Sequence, residues 1–131
     1  MDFRVRFLLV AWTAAWLSPL HAAESTRPTP VGKKIADFTL KDYQGASFSL
    51  EGLRDKKVVV VAFLGTECPL AKLYGPRLAE LAEEFEKEGV AFVGIDSNQQ
   101  DSLEEIAHYA RTVRLNFPLL KDPANQVADQ F

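Results

Sequence analysis

A run of four valines, Val58–Val61, constrains the fold of this chain more than any other feature. The run is too dense in apolar side chains for a strand with one solvated face. It therefore predicts a strand covered on both faces, as in a parallel sheet. An amphipathic segment follows at about residues 69–88, then an apolar run over 90–96 and a second amphipathic segment over 101–113. Strands that alternate with helices in this way predict an α/β fold with right-handed crossovers.

The first amphipathic segment predicts a long helix with one apolar face. Five residues at three- and four-residue spacing form that face, namely Leu70, Tyr74, Leu78, Leu81 and Phe85. Gly89 lies where a helix is expected to end. Pro76 lies inside the segment and is expected to kink the helix, because proline has no backbone N–H to donate.

Shorter elements flank these segments. Residues 35–50 alternate apolar and polar side chains around a glycine turn, which predicts a β-hairpin. Ser102 and Glu105 have the spacing of a capping box at the start of the second helix. Residues 116–122 predict a short strand, and residues 123–131 resemble the beginning of a third helix.

The N-terminal segment, residues 1–23, has the layout of a secretory signal peptide. Two arginines precede an apolar run over residues 7–17, and small residues follow it. The run is too short to span a bilayer, which takes about 20 apolar residues. We expect cleavage, a secreted or periplasmic protein, and no stable membrane span afterwards; an uncleaved signal anchor is the alternative. A polar linker over 24–34 and a single domain over 35–131 complete the predicted organisation.

Composition narrows the range of partners. The net charge is −3 and basic residues form no cluster, which argues against binding of nucleic acid. The chain has one cysteine and two histidines, of which His21 belongs to the predicted signal peptide. Cys68 and His108 are too few soft ligands for a metal site, and no cofactor is expected.

Cys68 lies at the junction between the valine strand and the first helix. Backbone amides at a helix N-terminus lack partners and, with the helix dipole, favour a negative charge such as a thiolate. Pro69 suits the first helical position, Thr66 can offer a hydroxyl to the sulfur, and Lys72 adds positive charge one turn later. These residues predict a reactive thiol at Cys68. The alternative is that Cys68 fills space as a small buried hydrophobe.

Residues 32–69, GKKIADFTLKDYQGASFSLEGLRDKKVVVVAFLGTECP, resemble the opening of the redoxins. These are the alkyl hydroperoxide reductase/thiol-specific antioxidant (AhpC/TSA) branch of the thioredoxin-like superfamily. The similar positions are Gly32, Ala36–Leu40, Gly45, Leu50, the valine run, Cys68-Pro69 and Pro76. The resemblance implies a thioredoxin-like fold with an N-terminal β-hairpin and a thiol-dependent antioxidant or oxidoreductase activity at Cys68. It also implies that Pro76 is the kink proline of the active-site helix, and that the partner is an external thiol reductant or a disulfide-bonded protein.

Several positions depart from the family pattern. Thioredoxins have a second cysteine where this chain has Ala71, a tryptophan where it has Glu67, and a buried carboxylate where it has Ala62. An internal disulfide by the two-cysteine route is therefore excluded. Peroxiredoxins have threonine at the position of Gly65, whereas Thr66 is one residue closer to the cysteine. The orientation of a peroxide by that hydroxyl is accordingly in question.

The sequence ends at Phe131, before the region in which the family has its cis-proline strands. We therefore expect an incomplete domain, C-terminally truncated before those strands. The first functional hypothesis is an exported redoxin, in which Cys68 attacks a peroxide or a disulfide and an outside thiol resolves the product. The second is a non-catalytic binding module with an inert cysteine. A copper-delivering metallochaperone is disfavoured, because it needs at least two soft ligands.

Overall fold

The computed structural model describes residues 31–131. The signal peptide predicted over 1–23 lies outside the described residues, as does most of the linker predicted over 24–34. No helix of the described segment is long and apolar enough to cross a membrane. What is described is thus essentially the segment that the sequence predicts to be the folded domain.

The described residues form five strands, two α-helices and two 3₁₀ turns. The strands are β1 (Thr39–Asp42), β2 (Ser47–Ser49), β3 (Val58–Phe63), β4 (Val90–Asp96) and β5 (Leu119–Lys121). The helices are α1 (Pro69–Glu86) and α2 (Leu103–Thr112), and the 3₁₀ turns are Leu50–Leu53 and Ala128–Gln130. This order reproduces the predicted succession of hairpin, strand, helix, strand, helix and short strand.

The strands form one mixed sheet in the order β2-β1-β5-β4-β3. Parallel pairing joins β3 to β4 and β4 to β5, and antiparallel pairing joins β1 to both β2 and β5. The predicted hairpin is thus confirmed, and Gly45 in its turn has a φ of 87°. The parallel strands place their carboxyl ends, and the loops that follow them, at one edge of the sheet, where ligands bind in α/β folds.

Adjacent residues of β5 point to opposite faces of the sheet and anchor two apolar clusters. Leu119 packs with Leu64 of the loop after β3 and with residues in or next to the two helices, namely Ala71, Ile106, Tyr109, Ala110 and Val113. Leu120 packs on the other face with Phe38, Val93, Ile95 and Val127. Both leucines are fully buried. The two α-helices therefore share one face of the sheet, and the start of α1 is packed against α2.

The buried face of α1 differs from the one that the sequence predicts. Leu70 and Tyr74 are 63% and 56% exposed, whereas the buried residues of the helix are Ala71, Gly75 and Ala79. The physical reason is the close approach of α2. A Cβ on Gly75 would lie 2.9 Å from the hydroxyl of Tyr109. Only small residues fit this contact, so Leu70 and Tyr74 are displaced toward solvent. The other three residues of the predicted face, Leu78, Leu81 and Phe85, are half-buried as the periodicity indicated.

The valine strand is also less covered than predicted. Among the described residues β3 pairs with β4 alone and lies at the edge of the sheet. Val58 is 52% exposed, and the next three valines are half-buried. A run of four apolar residues indicates that the side chains are at least partly buried, but it does not distinguish an edge strand from a central one.

The predicted third helix is wrong. Residues 123–131 form a turn followed by the short 3₁₀ segment Ala128–Gln130. The buried carboxylate of Asp122 accepts hydrogen bonds from the backbone N–H groups of Gln126, Val127 and Ala128, each at 3.1 Å. Asn125 takes a φ of 54°. This left-handed residue interrupts a regular helix, and the aspartate holds the loop instead.

We expect Gly94→Ala to lower the free energy of unfolding by about 1–3 kcal/mol. An added Cβ would lie 2.7 Å from Cδ1 of Leu119, which is fully buried, so the leucine or the backbone would have to shift. Urea denaturation followed by circular dichroism measures the change. Gly52→Ala is the matched control, because its nearest neighbour would be 3.6 Å away. Equal stability of the two variants would contradict this account of the core.

Candidate active site at the start of helix α1

Cys68 is the N-cap residue of α1 and is exposed. Its extended backbone, with φ −70° and ψ 118°, turns the chain from the loop after β3 into the helix. Its N–H donates to the carbonyl of Gly65 at 3.2 Å, and its carbonyl accepts from the N–H of Lys72 at 3.0 Å. Pro69 takes the first helical position, as predicted, where its missing donor is not needed. The exposure of Cys68 rules out the alternative of a small buried hydrophobe.

Lys72 lies one turn into α1 and forms an ion pair with Glu67. The distance from its Nζ to Glu67 Oε2 is 3.2 Å, and both side chains are largely exposed. The lysine is therefore near the cysteine loop, as predicted, but its ammonium group is directed toward a neighbouring carboxylate. Because solvent screens the two charges, such an exposed ion pair contributes about 0–1 kcal/mol to stability.

Thr66 is 4% exposed, so it lies in the protein and not on its surface. Its N–H donates to Oδ2 of Asp101 at 2.8 Å. Its hydroxyl oxygen, Oγ1, is buried and has no hydrogen-bond partner among the described residues. The predicted hydrogen bond from this hydroxyl to the sulfur of Cys68 is thus not formed. A buried hydroxyl without a partner is uncommon in folded proteins.

The side chain of Asn98 lies against Gly65. Its Nδ2 donates to Oδ2 of Asp101 at 3.1 Å. A Cβ on Gly65 would collide with that nitrogen. A residue larger than glycine at position 65 would therefore require the Asn98 amide to move.

A buried charged cluster supports this loop from below. Lys121 Nζ donates to Oδ1 of Asp96 at 3.0 Å, to the carbonyl of Asp101 at 2.8 Å and to the carbonyl of Asn98. Asp96 and Lys121 are paired residues of the parallel strands β4 and β5. The sequence analysis missed this cluster. One feature of the sequence does indicate it: a charged residue ends each of two apolar strands, in GID and in LLKD.

The environments of the two aspartates shift their pKa values in opposite directions. Burial raises the pKa of Asp96 to about 6, against the opposing effect of the Lys121 ammonium. Burial also acts to raise the pKa of Asp101, but the hydrogen bonds from the Thr66 N–H and the Asn98 amide outweigh it and lower that pKa. Asp101 is therefore the member of the pair that carries the charge toward the cysteine loop.

A groove of about 580 Å³ opens between the cysteine loop and α2. Thr66, Glu67 and Lys72 line one side, and residues of α2 that include His108 and Tyr109 line the other. The hydroxyl of Tyr109 donates to the carbonyl of Ala71 at 2.8 Å, which ties α2 to the first turn of α1. Burial raises the pKa of Tyr109, and the nearby charge of Cys68 adds to the effect. A substrate of Cys68 has space to extend along this groove.

These features define a thioredoxin-like redox fold with a cysteine at the start of its first helix. The AhpC/TSA family model matches residues 31–131, and the chain belongs to that family. The resemblance of its opening segment to the redoxins is thereby confirmed.

Relatives include both peroxide-reducing and disulfide-exchanging proteins. Peroxiredoxin Q, a chloroplastic protein of Sedum lineare, is 34% identical over 114 residues, which cover 87% of this chain and 60% of the relative. The thiol-disulfide oxidoreductase ResA of Halalkalibacterium halodurans is 27% identical over 100 residues, which cover 76% of this chain and 55% of the relative. The chain thus spans less than two thirds of the length of either protein.

A solved structure with the same fold is that of a secreted Mycobacterium tuberculosis disulfide oxidoreductase homologous to Escherichia coli DsbE. It superposes with a TM-score of 0.63 at 26% identity, over 71% of this chain and 66% of the other. The thioredoxin-like fold is thereby confirmed. The truncation before the cis-proline strands stays a prediction.

Asp96 gives the protein a pH-dependent stability. Its pKa is about 6 in the folded protein, compared with the ordinary value of 3.8. The folded state therefore holds a proton that the unfolded chain has lost, and the free energy of unfolding falls as the pH rises from about 4 to about 6. The fall should be up to about 3 kcal/mol. Urea titrations between about pH 4 and about pH 7 measure it.

Asp101 does not obscure this effect, because a carboxylate with a lowered pKa loses its stabilising contribution only when the pH falls below about 4. Asp96→Asn is the control. Because the amide does not titrate, the fall in the free energy of unfolding between about pH 4 and about pH 6 should be smaller in this variant by up to about 3 kcal/mol. Identical slopes in the native protein and the variant would contradict the assignment.

Proposed function

We propose that this chain is an exported, thiol-dependent redoxin in which Cys68 is the catalytic nucleophile. The observation that carries this proposal is the exposed thiol at the N-cap of an 18-residue helix, beside a groove that Thr66 and Lys72 line. The unpartnered amides of the first helical turn favour negative charge on the sulfur and on oxygen atoms bound next to it. Thr66, Pro69 and Lys72 are the proposed supporting residues, and Pro76 is the proposed structural one.

The proposed reaction with a peroxide begins with attack of the Cys68 thiolate on one peroxide oxygen. The S–O bond forms as the O–O bond breaks, and the leaving alkoxide or hydroxide takes up a proton. Cys68 is oxidised to a sulfenic acid and the peroxide is reduced to an alcohol or water. An external thiol then displaces water from the sulfenic acid, and a second thiol releases Cys68 as the external disulfide forms.

The proposed reaction with a disulfide follows the same geometry. The Cys68 thiolate attacks one sulfur, a mixed disulfide forms, and the other sulfur leaves as a thiolate. These 131 residues contain one cysteine, and in the proposed reaction an external thiol resolves either product. The proposed partners are accordingly a thiol reductant or a disulfide-bonded protein.

Export is a further part of the proposal. The arginine-flanked apolar segment within residues 1–23 supports it, with a linker over 24–34 and the redoxin domain over 35–131. The described relative from Mycobacterium tuberculosis is a secreted protein. Both observations favour a secreted or periplasmic location.

The thiol chemistry is tested by treatment of the protein with dilute hydrogen peroxide and a sulfenic-acid trap, followed by mass spectrometry of the intact chain and its peptides. We expect one adduct, located on Cys68, and none in Cys68→Ala. A thiol reductant added after the peroxide and before the trap should abolish the adduct, because it returns Cys68 to its thiol. A folded protein that gives neither this adduct nor a mixed disulfide with an added aromatic disulfide would support the binding module with an inert cysteine.

Thr66→Val separates the two substrate classes. The substitution removes a hydroxyl that makes no hydrogen bond, so stability should be unchanged or slightly higher. If the hydroxyl orients a peroxide, the rate of Cys68 oxidation by peroxide should fall about 10- to 100-fold, while the rate of exchange with a disulfide changes little. Stopped-flow measurements of both rates provide the comparison, with Thr66→Ser as the variant that keeps the hydroxyl. Equal peroxide rates in Thr66→Val and the native protein would exclude that role.

A further inference from the structure

The loop between β3 and α1, which carries Cys68, makes few hydrogen bonds to the rest of the protein. It leaves β3 at Phe63 and enters α1 at Pro69, and the N–H of Cys68 bonds only within the loop, to Gly65. Two backbone N–H groups join the loop to the rest of the protein. That of Leu64, next to β3, donates to the carbonyl of Ile95 at 2.9 Å, and that of Thr66, nearer the cysteine, donates to the carboxylate of Asp101. The position of the thiol thus depends in part on where Asp101 is held.

Asp101 is itself held from two sides. Its carboxylate accepts from Asn98 Nδ2, and its backbone carbonyl accepts from Lys121 Nζ at 2.8 Å. Lys121 also reaches Asn98 and Asp96 from the neighbouring strand. Asp101 is 4% exposed, and only 15% of the Lys121 side chain is exposed. The cluster forms a continuous chain of hydrogen bonds from β5 to the residue two positions before Cys68.

We infer that Asp101 is a positioning residue for Cys68, held in place by Lys121 and Asn98. Its carboxylate fixes the Gly65–Thr66 segment so that the thiol stands at the open end of α1. This inference rests on the proposed function, because it assigns Asp101 a role in the reactivity of the same thiol. Asp101 acts through the Thr66 N–H and is not expected to contact the substrate.

Charge and position predict opposite effects of removing this carboxylate. A carboxylate near a thiol disfavours the thiolate electrostatically, so loss of its charge alone would make Cys68 more reactive. Loss of the hydrogen bond to Thr66 would let the loop move, and displacements of about 1 Å can lower rates by about 100-fold. The two contributions can therefore be separated by variants that remove either the charge alone or the charge with the acceptor.

The experiment measures the rate of alkylation of Cys68 by iodoacetamide across a pH series in the native protein, Asp101→Ala and Asp101→Asn. In Asp101→Ala we expect a fall of about tenfold at neutral pH and a pH–rate profile moved to higher pH. Asp101→Asn keeps an oxygen that can accept from Thr66 and should restore most of the rate. Asp55→Ala removes one negative charge before β3, at the opposite end of that strand, and serves as the control.

Circular dichroism and thermal melts establish that each variant is folded under the assay conditions. Should Asp101→Ala not fold, Asn98→Ala removes the side-chain hydrogen bond to the Asp101 carboxylate, leaving Lys121 on the backbone carbonyl, and should slow alkylation as well. Faster alkylation in both Asp101 variants would show that only charge matters and would overturn the inference. A lower melting temperature with an unchanged pH–rate profile would overturn it too, by leaving Asp101 a structural role alone.

The outcome is independent of the trapping experiment with peroxide. Iodoacetamide reports the reactivity of the thiol whether or not a peroxide or a disulfide is its substrate. A chain that fails to form a sulfenic acid or a mixed disulfide would disprove the proposed function, and the ratio of alkylation rates would still decide whether Asp101 positions Cys68.

Discussion

The ammonium group of Lys121 holds together the carboxyl ends of the parallel strands, beside which the candidate site lies. It binds one carboxylate and two backbone carbonyls that come from the end of β4 and the loop after it. Burial of a carboxylate without such a partner is unfavourable by several kcal/mol, so Asp96 depends on this contact. The loop from Asn98 to Asp101 in turn supports the segment before Cys68. Removal of one cation would therefore affect the stability of the sheet and the geometry of the thiol together.

Small residues set the second constraint, which is the distance between the two helices. Ala71, Gly75 and Ala79 line the side of α1 that meets α2, and a larger side chain at position 75 would collide with Tyr109 and Val113. This close contact allows the Tyr109 hydroxyl to reach the carbonyl of Ala71. Tyr109 and Val113, which meet Gly75 in this contact, also line the groove beside the cysteine loop. The packing of the two helices and the shape of the groove therefore share residues.

Local patterns in the sequence were sufficient for the parts of the fold that depend on neighbouring residues. The hairpin, the alternation of strands and helices, the capping box of Ser102 and Glu105, and a helix end shortly before Gly89 were all predictable and are observed; α1 ends at Glu86 and Gly89 takes a positive φ. The position of Cys68 at the helix start followed from the valine strand and Pro69. Each of these features is encoded within about one turn of helix or one strand.

Features that depend on distant residues were not predictable in this way. The buried face of α1 is determined by how close α2 comes, and periodicity alone selected Leu70 and Tyr74. The C-terminal turn is held by Asp122, whose three backbone contacts no local pattern reveals. The support of Thr66 by Asp101 joins residues 35 positions apart. A single sequence contains no measure of that proximity, because register and helix separation are properties of the assembled sheet.

Pro76 has a consequence for how the start of α1 can move. Because proline has no N–H, the carbonyl of Lys72 receives no helical hydrogen bond from it, and the ladder is interrupted one turn after the thiol. Hydrogen bonds to other elements also hold this region. Tyr109 joins Ala71 in the first turn to α2, and Asp101 joins Thr66 to the loop that precedes α2. The cysteine region is therefore joined to α2 and to the loop before it by hydrogen bonds that run across the helix as well as along it.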